Sequence, residues 1–145
     1  MDKENLIVKE LDEAFISEIV DLTCHLNPEL SLSLLKSRQT DMFSYENHIC
    51  FGLFLKEELI GVSNGWITTR LYSGKQLEID NFIIDPNFQS KGYGAYFISY
   101  LEDWSRENNC LSLELNTYIS NERSHSFYSR LGYLKLGYHF LKRLS

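Results

Sequence analysis

The chain has 145 residues and a formal charge of −6 at neutral pH, an acid excess that argues against a nucleic-acid backbone as main partner and suits a cationic one. Its length suits one domain, residues 1–145, with a hydrophobic core of its own. No apolar run approaches the ~18–20 residues that cross a bilayer, and the opening MDKENLIVKELDEAF lacks the basic-then-apolar order of a signal peptide, so a cytoplasmic protein without membrane attachment is expected.

In chain order, LIVKEL reads as a first strand. Phe15, Ile19, Leu22 and Leu26 then fall on one helical stripe. NPELSLSLLKSRQTDMF reads as a second, shorter helix, with Asn27 as cap, Pro28 in the first turn, and Leu30, Leu34 and Leu35 on one side. Three apolar runs follow, separated by KEE and LYSGK, and predict antiparallel strands over 48–55, 58–69 and 75–85. From Gly92 to Glu107 the period becomes helical, with Gly94, Phe97, Ile98, Leu101 and Trp104 on one face. NCLSLELNTY predicts a further strand in which Leu111, Leu113 and Leu115 alternate with Ser112 and Glu114. NERSHSFYSRLGY starts at a good cap, Asn121, and stops at Gly132. YLKLGYHFLKRL closes the chain as one or two strands. This order predicts an α/β (mixed α+β) fold, a mixed central sheet with helices on both faces.

Cys24, Cys50 and Cys110 lack any metal-type pairing and read as reduced, mostly buried thiols. The four histidines are scattered without an H-E-x-x-H or similar cluster, so no metal is expected. The informative stretch is DPNFQSKGYGAYFISYLEDW, where Gly92 and Gly94 stand one residue apart between a strand and a helix. Free amides at a helix start attract anions, glycines let a phosphate reach the backbone, and Lys91 adds a full charge. By itself this is a weak signal, since most such loops are merely tight turns. G-x-x-x-x-G-K-[ST] is absent, and G-x-G-x-x-G fails because Phe97 occupies its third glycine position.

The Q-x-x-G-x-G of residues 89–94 resembles motif A of the GNAT superfamily, the acetyl-CoA-dependent N-acetyltransferases, and QSKGYGAYFISYLE is especially similar to its histone-acetyltransferase branch. NERSHSFYSRLGY resembles motif B of the same family, with Ser124 where alanine is commoner. The resemblance implies that Gln89, Ser90, Lys91, Gly92, Tyr93, Gly94 and Ala95 hold the pyrophosphate of coenzyme A. It implies a cleft where two parallel strands, 77–85 and 110–117, splay apart, with backbone groups of Phe82 and Ile84 bonding the pantetheine arm. The oxyanion donor is then a main-chain N–H near Ile83 or Ile84. Tyr128 matches the tyrosine that protonates the leaving thiolate, Phe127 packs beside it, and Asn121 and Ser124 lie against the cofactor, although Asn121 is equally a plain helix cap. His125 lies outside these contacts and is expected at the surface.

Acyl transfer to an amine requires an unprotonated nitrogen, although a lysine-like amine has pKa ~10.4. Glu78 and Asp80, two apart in a strand, point to one face and offer carboxylates for this. Glu78, by its spacing before Gln89, resembles the catalytic glutamate of the histone-acetyltransferase branch, and Asp80 resembles the acidic residue that many small-molecule members carry two positions on. The base is either of them or acts through water, with Glu78 favoured and Asp80 then the amine recogniser; either acid could instead only solvate a strand. Phe43, Tyr45, Glu46, Trp66 and Tyr72 suit a cationic acceptor through charge and cation–π contact, and equally suit core or rim. The expected function is direct acetyl transfer from acetyl-CoA, as co-substrate, to a primary amine in a ternary complex, with a small-molecule amine favoured over a protein lysine or N-terminus. A non-catalytic coenzyme-A sensor is the alternative from another class. No acetylated cysteine is implied, and the resemblance admits a homodimer formed through C-terminal elements.

Overall fold

The apolar runs of the middle of the chain come out as an antiparallel meander. In the computed structural model, which describes residues 3–145, β1 (Leu6–Glu10), β2 (His48–Leu55), β3 (Glu58–Arg70) and β4 (Gly74–Ile84) pair antiparallel in that order. β5 (Ser112–Leu115) lies parallel to β4 at the far edge, entered through the Leu111 amide, which donates to the Lys75 carbonyl at 2.7 Å. The helices are α1 (Ile16–Thr23), α2 (Leu32–Phe43), α3 (Tyr93–Glu107) and α4 (Glu122–Arg130). The chain falls into two compact units, one ending at Glu114 and the other beginning at Leu115.

In the first unit the sheet is covered on both faces. Cys50, Val62 and Ile83 face α1, where they form one cluster with Leu11, Ile19, Leu22 and Phe54. The opposite face carries Phe51, whose ring meets Trp104 of α3 at 5.2 Å, and Phe82, which meets Phe97 at 5.3 Å. Phe97, Ile98 and Leu101 are buried, as a 3.6-residue period requires of the inner stripe.

The second helix departs from expectation. Its cap is Ser31, whose hydroxyl accepts from the Leu34 amide at 3.1 Å, while Asn27 closes the preceding turn. α2 has 12 residues against 8 in α1, so it is the longer of the two. Its inner line is Leu35, Gln39 and Phe43, one helical turn apart, and Leu34 is exposed. The periodicity was obscured because a glutamine occupies the middle of that line.

α4 begins as read, with the Asn121 side chain accepting from the Ser124 amide, and ends before Gly132 at φ 91°. The strands expected over the last residues are not formed: 133–145 carries no strand pairing among the described residues, and Leu134, Leu136, Tyr138 and Phe140 are exposed. Alternation makes a segment fit for a sheet, but only a hydrogen-bonded neighbour makes it a strand. β5 is likewise shorter than its alternation suggested, and Leu111 lies outside it at the surface.

One irregularity organises the sheet. Val62 pairs with Ile83 and Asn64 with Asp80, so Ser63 of β3 stands against both Asn81 and Phe82 of β4. Asn81 takes a left-handed conformation at φ 53°. This β-bulge reverses the parity of β4: Gln76, Glu78 and Asp80 share the α1/α2 face, and Ile83 returns to it while Phe82 turns to α3. Asn81→Val, which places a β-branched residue in left-handed space, is expected to cost about 1–2 kcal/mol in urea unfolding. Asn81→Gly should stay within about 0.5 kcal/mol of the parent. Equal midpoints for Asn81→Val and the parent would rule out backbone strain at the bulge.

Candidate active site

The loop after β4 is built by local hydrogen bonds. Asp85 ends the strand and accepts from the Asn87 amide at 2.9 Å, forming the turn Pro86–Phe88. The Gln89 amide donates back to the Ile84 carbonyl at 2.9 Å, so Gln89 ties the loop to the strand end. Ser90 at φ 62° and Gly92 at φ 91° both take left-handed backbone on either side of Lys91. The Lys91 ammonium lies near the Asn87 carbonyl at 3.5 Å and over the Phe88 ring at 5.7 Å. Phe88 in turn meets the buried Tyr93 edge-on.

Gly92 is the N-cap of α3, and no side chain caps that helix. The first amides of a helix, here including Tyr93, Gly94 and Ala95, have no intrahelical partner and carry the positive end of the helix dipole. α2 and α4 receive a side-chain oxygen at this position from Ser31 and Asn121. A glycine-opened helix with an adjacent lysine therefore fits the phosphates of a coenzyme.

The edge of β4 beside this loop fits the rest of such a molecule. The Asp85 amide donates to Ile60 of β3 at 2.7 Å. Alternation along extended backbone then turns the N–H groups of Phe82 and Ile84 to the opposite edge. β5, which begins opposite Lys75 and has four residues, stops short of that part of β4. Of the two amides considered as oxyanion donors, Ile84 faces this open edge and Ile83 faces β3.

Glu78 and Asp80 do share a face, and the structure gives them different partners. Glu78 accepts from Arg70 at 3.4 Å, diagonally across β3–β4, with both side chains partly exposed. Such a pair is worth at most about 1 kcal/mol, so an incoming cation can displace it. Asp80 accepts from the Trp66 indole N–H at 3.2 Å. Tyr45 meets Trp66 edge-on at 5.8 Å, and His48 lies against Trp66 at 5.0 Å and Phe43 at 5.1 Å. Trp66, Tyr45 and Phe43 thus belong to one aromatic group beside Asp80, and Glu46 lies in the exposed turn between Tyr45 and β2. Tyr72 stands apart, its hydroxyl donating to Glu114, and this hydrogen bond to a carboxylate raises the phenol above its usual range.

Sequence reading missed three members of this group. Asn64, fully buried, pairs both ways with the Gln39 side chain at 2.8 and 3.1 Å, and its Oδ1 lies 2.8 Å from His48 Nε2. The signal was the polar Ser63–Asn64 pair inside an apolar strand, at a position where burial requires a partner.

In the second unit, Tyr128 lies on α4 with its ring edge-on to Phe127 at 5.0 Å and to Tyr133 at 5.6 Å. Burial pushes its phenol well above 10, so it is protonated throughout the neutral range. Asn121 and Ser124 face each other as cap and first-turn amide, and His125 is bound to the Tyr118 carbonyl. The thiols are free, Cys50 and Cys110 buried, with Cys50 pushed up to about 12 by burial. Among the described residues no cluster of metal ligands occurs and no helix is long and apolar enough to cross a membrane.

This loop, bulged strand and sheet order belong to a fold shared with solved acetyltransferases. Residues 16–133 match the model of the acetyltransferase (GNAT) family, and the chain belongs to that family as an N-acetyltransferase. It is 22% identical over 127 residues to an uncharacterised N-acetyltransferase, YhdJ, of Bacillus subtilis (strain 168), covering 87% of this chain and 89% of the relative. It is 23% identical over 137 residues to streptothricin acetyltransferase of Escherichia coli, covering 92% of this chain and 73% of the relative. The solved structure of aminoglycoside N-acetyltransferase AAC(6')-Iy in complex with CoA shares the fold, with a TM-score of 0.81 at 14% identity over 95% of this chain and 93% of that one.

Gly92→Val would force a β-branched residue to φ 91° at the mouth of α3. Coenzyme A binding by calorimetry is expected to weaken more than about tenfold, equivalent to about 1.4 kcal/mol. Gly137→Val, at a glycine with open space around it, should bind as the parent does.

Proposed function

We propose that the whole chain is one cytoplasmic catalytic domain that transfers acetyl from acetyl-CoA to a primary amine of a small cationic molecule, by direct attack in a ternary complex. The observation that carries this is a single strand, β4, with carboxylates on one face before its bulge and an open edge and uncapped glycine helix after it. Amides of Gly92 to Ala95, with Gln89, Ser90 and Lys91 supporting the loop, hold the pyrophosphate. Phe82 and Ile84 pair with the pantetheine arm, and the Ile84 N–H faces the thioester oxygen. Phe127, Asn121 and Ser124 complete the donor's contacts.

Glu78 takes the proton from the amine, directly or through water, once the incoming cation has displaced Arg70. Asp80 draws the ammonium to the site, with Trp66 and Tyr45 offering their rings to the cation. The freed amine attacks the acyl carbon and the C–S bond breaks. The departing thiolate takes a proton from Tyr128 Oη, and the surplus proton on the new amide nitrogen passes to the phenolate, so the net proton released is the one held by Glu78. The raised phenol is a proton donor at every pH from 6 to about 9, so its ionisation contributes no limb to the profile there. A small-molecule acceptor is supported by relatives named for streptothricin and aminoglycosides. The choice between free amines and protein amines is read from an acetylation panel by mass shift.

In that assay Glu78→Gln and Tyr128→Phe should each lower kcat by about 10²–10⁴-fold while coenzyme A binding is kept. Unchanged turnover in both removes the assigned roles.

The chain is also proposed to be a homodimer. Leu134, Leu136, Tyr138 and Phe140 alternate at the surface beside Lys135, Lys142 and Arg143, a basic strand-like segment on an acidic protein. A second copy of opposite net charge to this segment is the partner that suits it. Light scattering should give twice the 17.0 kDa chain mass, and a monomer mass for Leu136→Lys/Tyr138→Lys. A monomeric parent at tens of micromolar would exclude the dimer.

A further inference from the structure

Burying hydrogen-bonding side chains in the layer between α2 and the sheet, two of them fully and a third by half, is costly unless each is satisfied, and an apolar trio would serve stability as well. Gln39, Asn64 and His48 nevertheless occupy that layer, each on a different element. Asn64 Oδ1 receives the Gln39 amide and lies 2.8 Å from His48 Nε2, while Asn64 Nδ2 donates to Gln39 Oε1. With the amides so oriented, Nε2 of His48 carries the proton and Nδ1 is the site that gains one on acidification. The ring is thereby locked in the pleat where it meets Trp66 at 5.0 Å, and Trp66 holds Asp80.

We infer that His48 is a positioning residue of the acceptor site, holding Trp66 and through it Asp80, and that the charge on its ring sets how strongly Asp80 attracts a cationic amine. This rests on the amine reading of Asp80 given above. A neutral ring leaves Asp80 its whole charge. An imidazolium offers that carboxylate a resident cation, which competes with the acceptor's ammonium. Half-burial keeps the ring neutral to below its usual 6.5, against the opposing pull of the Asn64 hydrogen bond and of Asp80. The other groups around the ring are accounted for. Phe43 and Gln39 from α2 carry no charge. Glu10, Asp12 and Glu13, from the β1–α1 segment, line a cavity of about 260 Å³ that His48 shares with Cys50, whose thiol is neutral.

Two readouts test this. In Trp104→Phe, Trp66 is the sole indole, since the chain has two tryptophans. Its emission is expected to fall as the pH is lowered from 8 to 5 with a midpoint below 6.5, and the step should be lost in Trp104→Phe/His48→Gln. Steady-state kinetics with neamine as acceptor should show its KM rising about three- to tenfold from pH 7.5 to 5.5, with kcat and the acetyl-CoA KM moving less. In His48→Gln, which keeps a donor for Asn64, the rise should vanish. A flat emission curve in Trp104→Phe, which needs no change at residue 48, overturns the inference. So does a neamine KM that climbs equally in His48→Gln. Absence of neamine turnover in the parent at every pH would count against the amine reading alone, and the emission titration would still decide the role of His48.

Discussion

At Asn81 the backbone of β4 turns left-handed, and two residues come to stand against Ser63 of β3. Everything functional in the first unit is arranged around that step. Before it, alternation puts Glu78 and Asp80 on the side of α1 and α2; after it, the shifted parity buries Ile83 on that side and sends Phe82 to α3. A regular strand would have had to choose between a carboxylate-bearing face and a packed end. The bulge permits both on one strand, and it bends the strand end toward the loop that opens α3.

The two charge environments follow from this placement. At one end of β4 the field is positive: a glycine-started helix, uncapped, with Lys91 nearby. Along the preceding residues it is negative, from Glu78 and Asp80, tempered by Arg70 and organised by Trp66. In the proposed reaction a phosphate-bearing donor and a cationic acceptor would therefore be drawn to different parts of the same strand. Neither attraction is large in water, and both depend on fixed geometry more than on the count of charges.

The Gln39–Asn64–His48 trio shows how that geometry is held. Its members come from a helix and two strands, and no pair lies within a helical turn or a strand step. Such networks contribute less to stability than to a single arrangement of the groups they touch. Here the half-buried His48 meets Trp66, which in turn holds Asp80, the chain of contacts through which it is proposed to act on the site.

By itself the sequence determined the elements whose signals are local. The strands read at 48–55, 58–69 and 75–85, each within one residue of the observed bounds, the helix opened by Gly92, and the cap at Asn121 all depend on periodicity or on one residue's conformational reach, and each could be read along the chain. The glycine pair and the two carboxylates of β4 were legible for the same reason. Tertiary structure alone decided the bulge, because Asn81 in an apolar run is compatible with a regular strand until a partner strand of fixed register is beside it. It decided that Ser31 and not Asn27 caps α2, since the inner line of that helix is set by Gln39 reaching Asn64. It also decided that Tyr72 bonds Glu114 while Tyr45 joins Trp66. These choices turn on which distant groups satisfy a buried or charged atom, and no spacing along a chain records that.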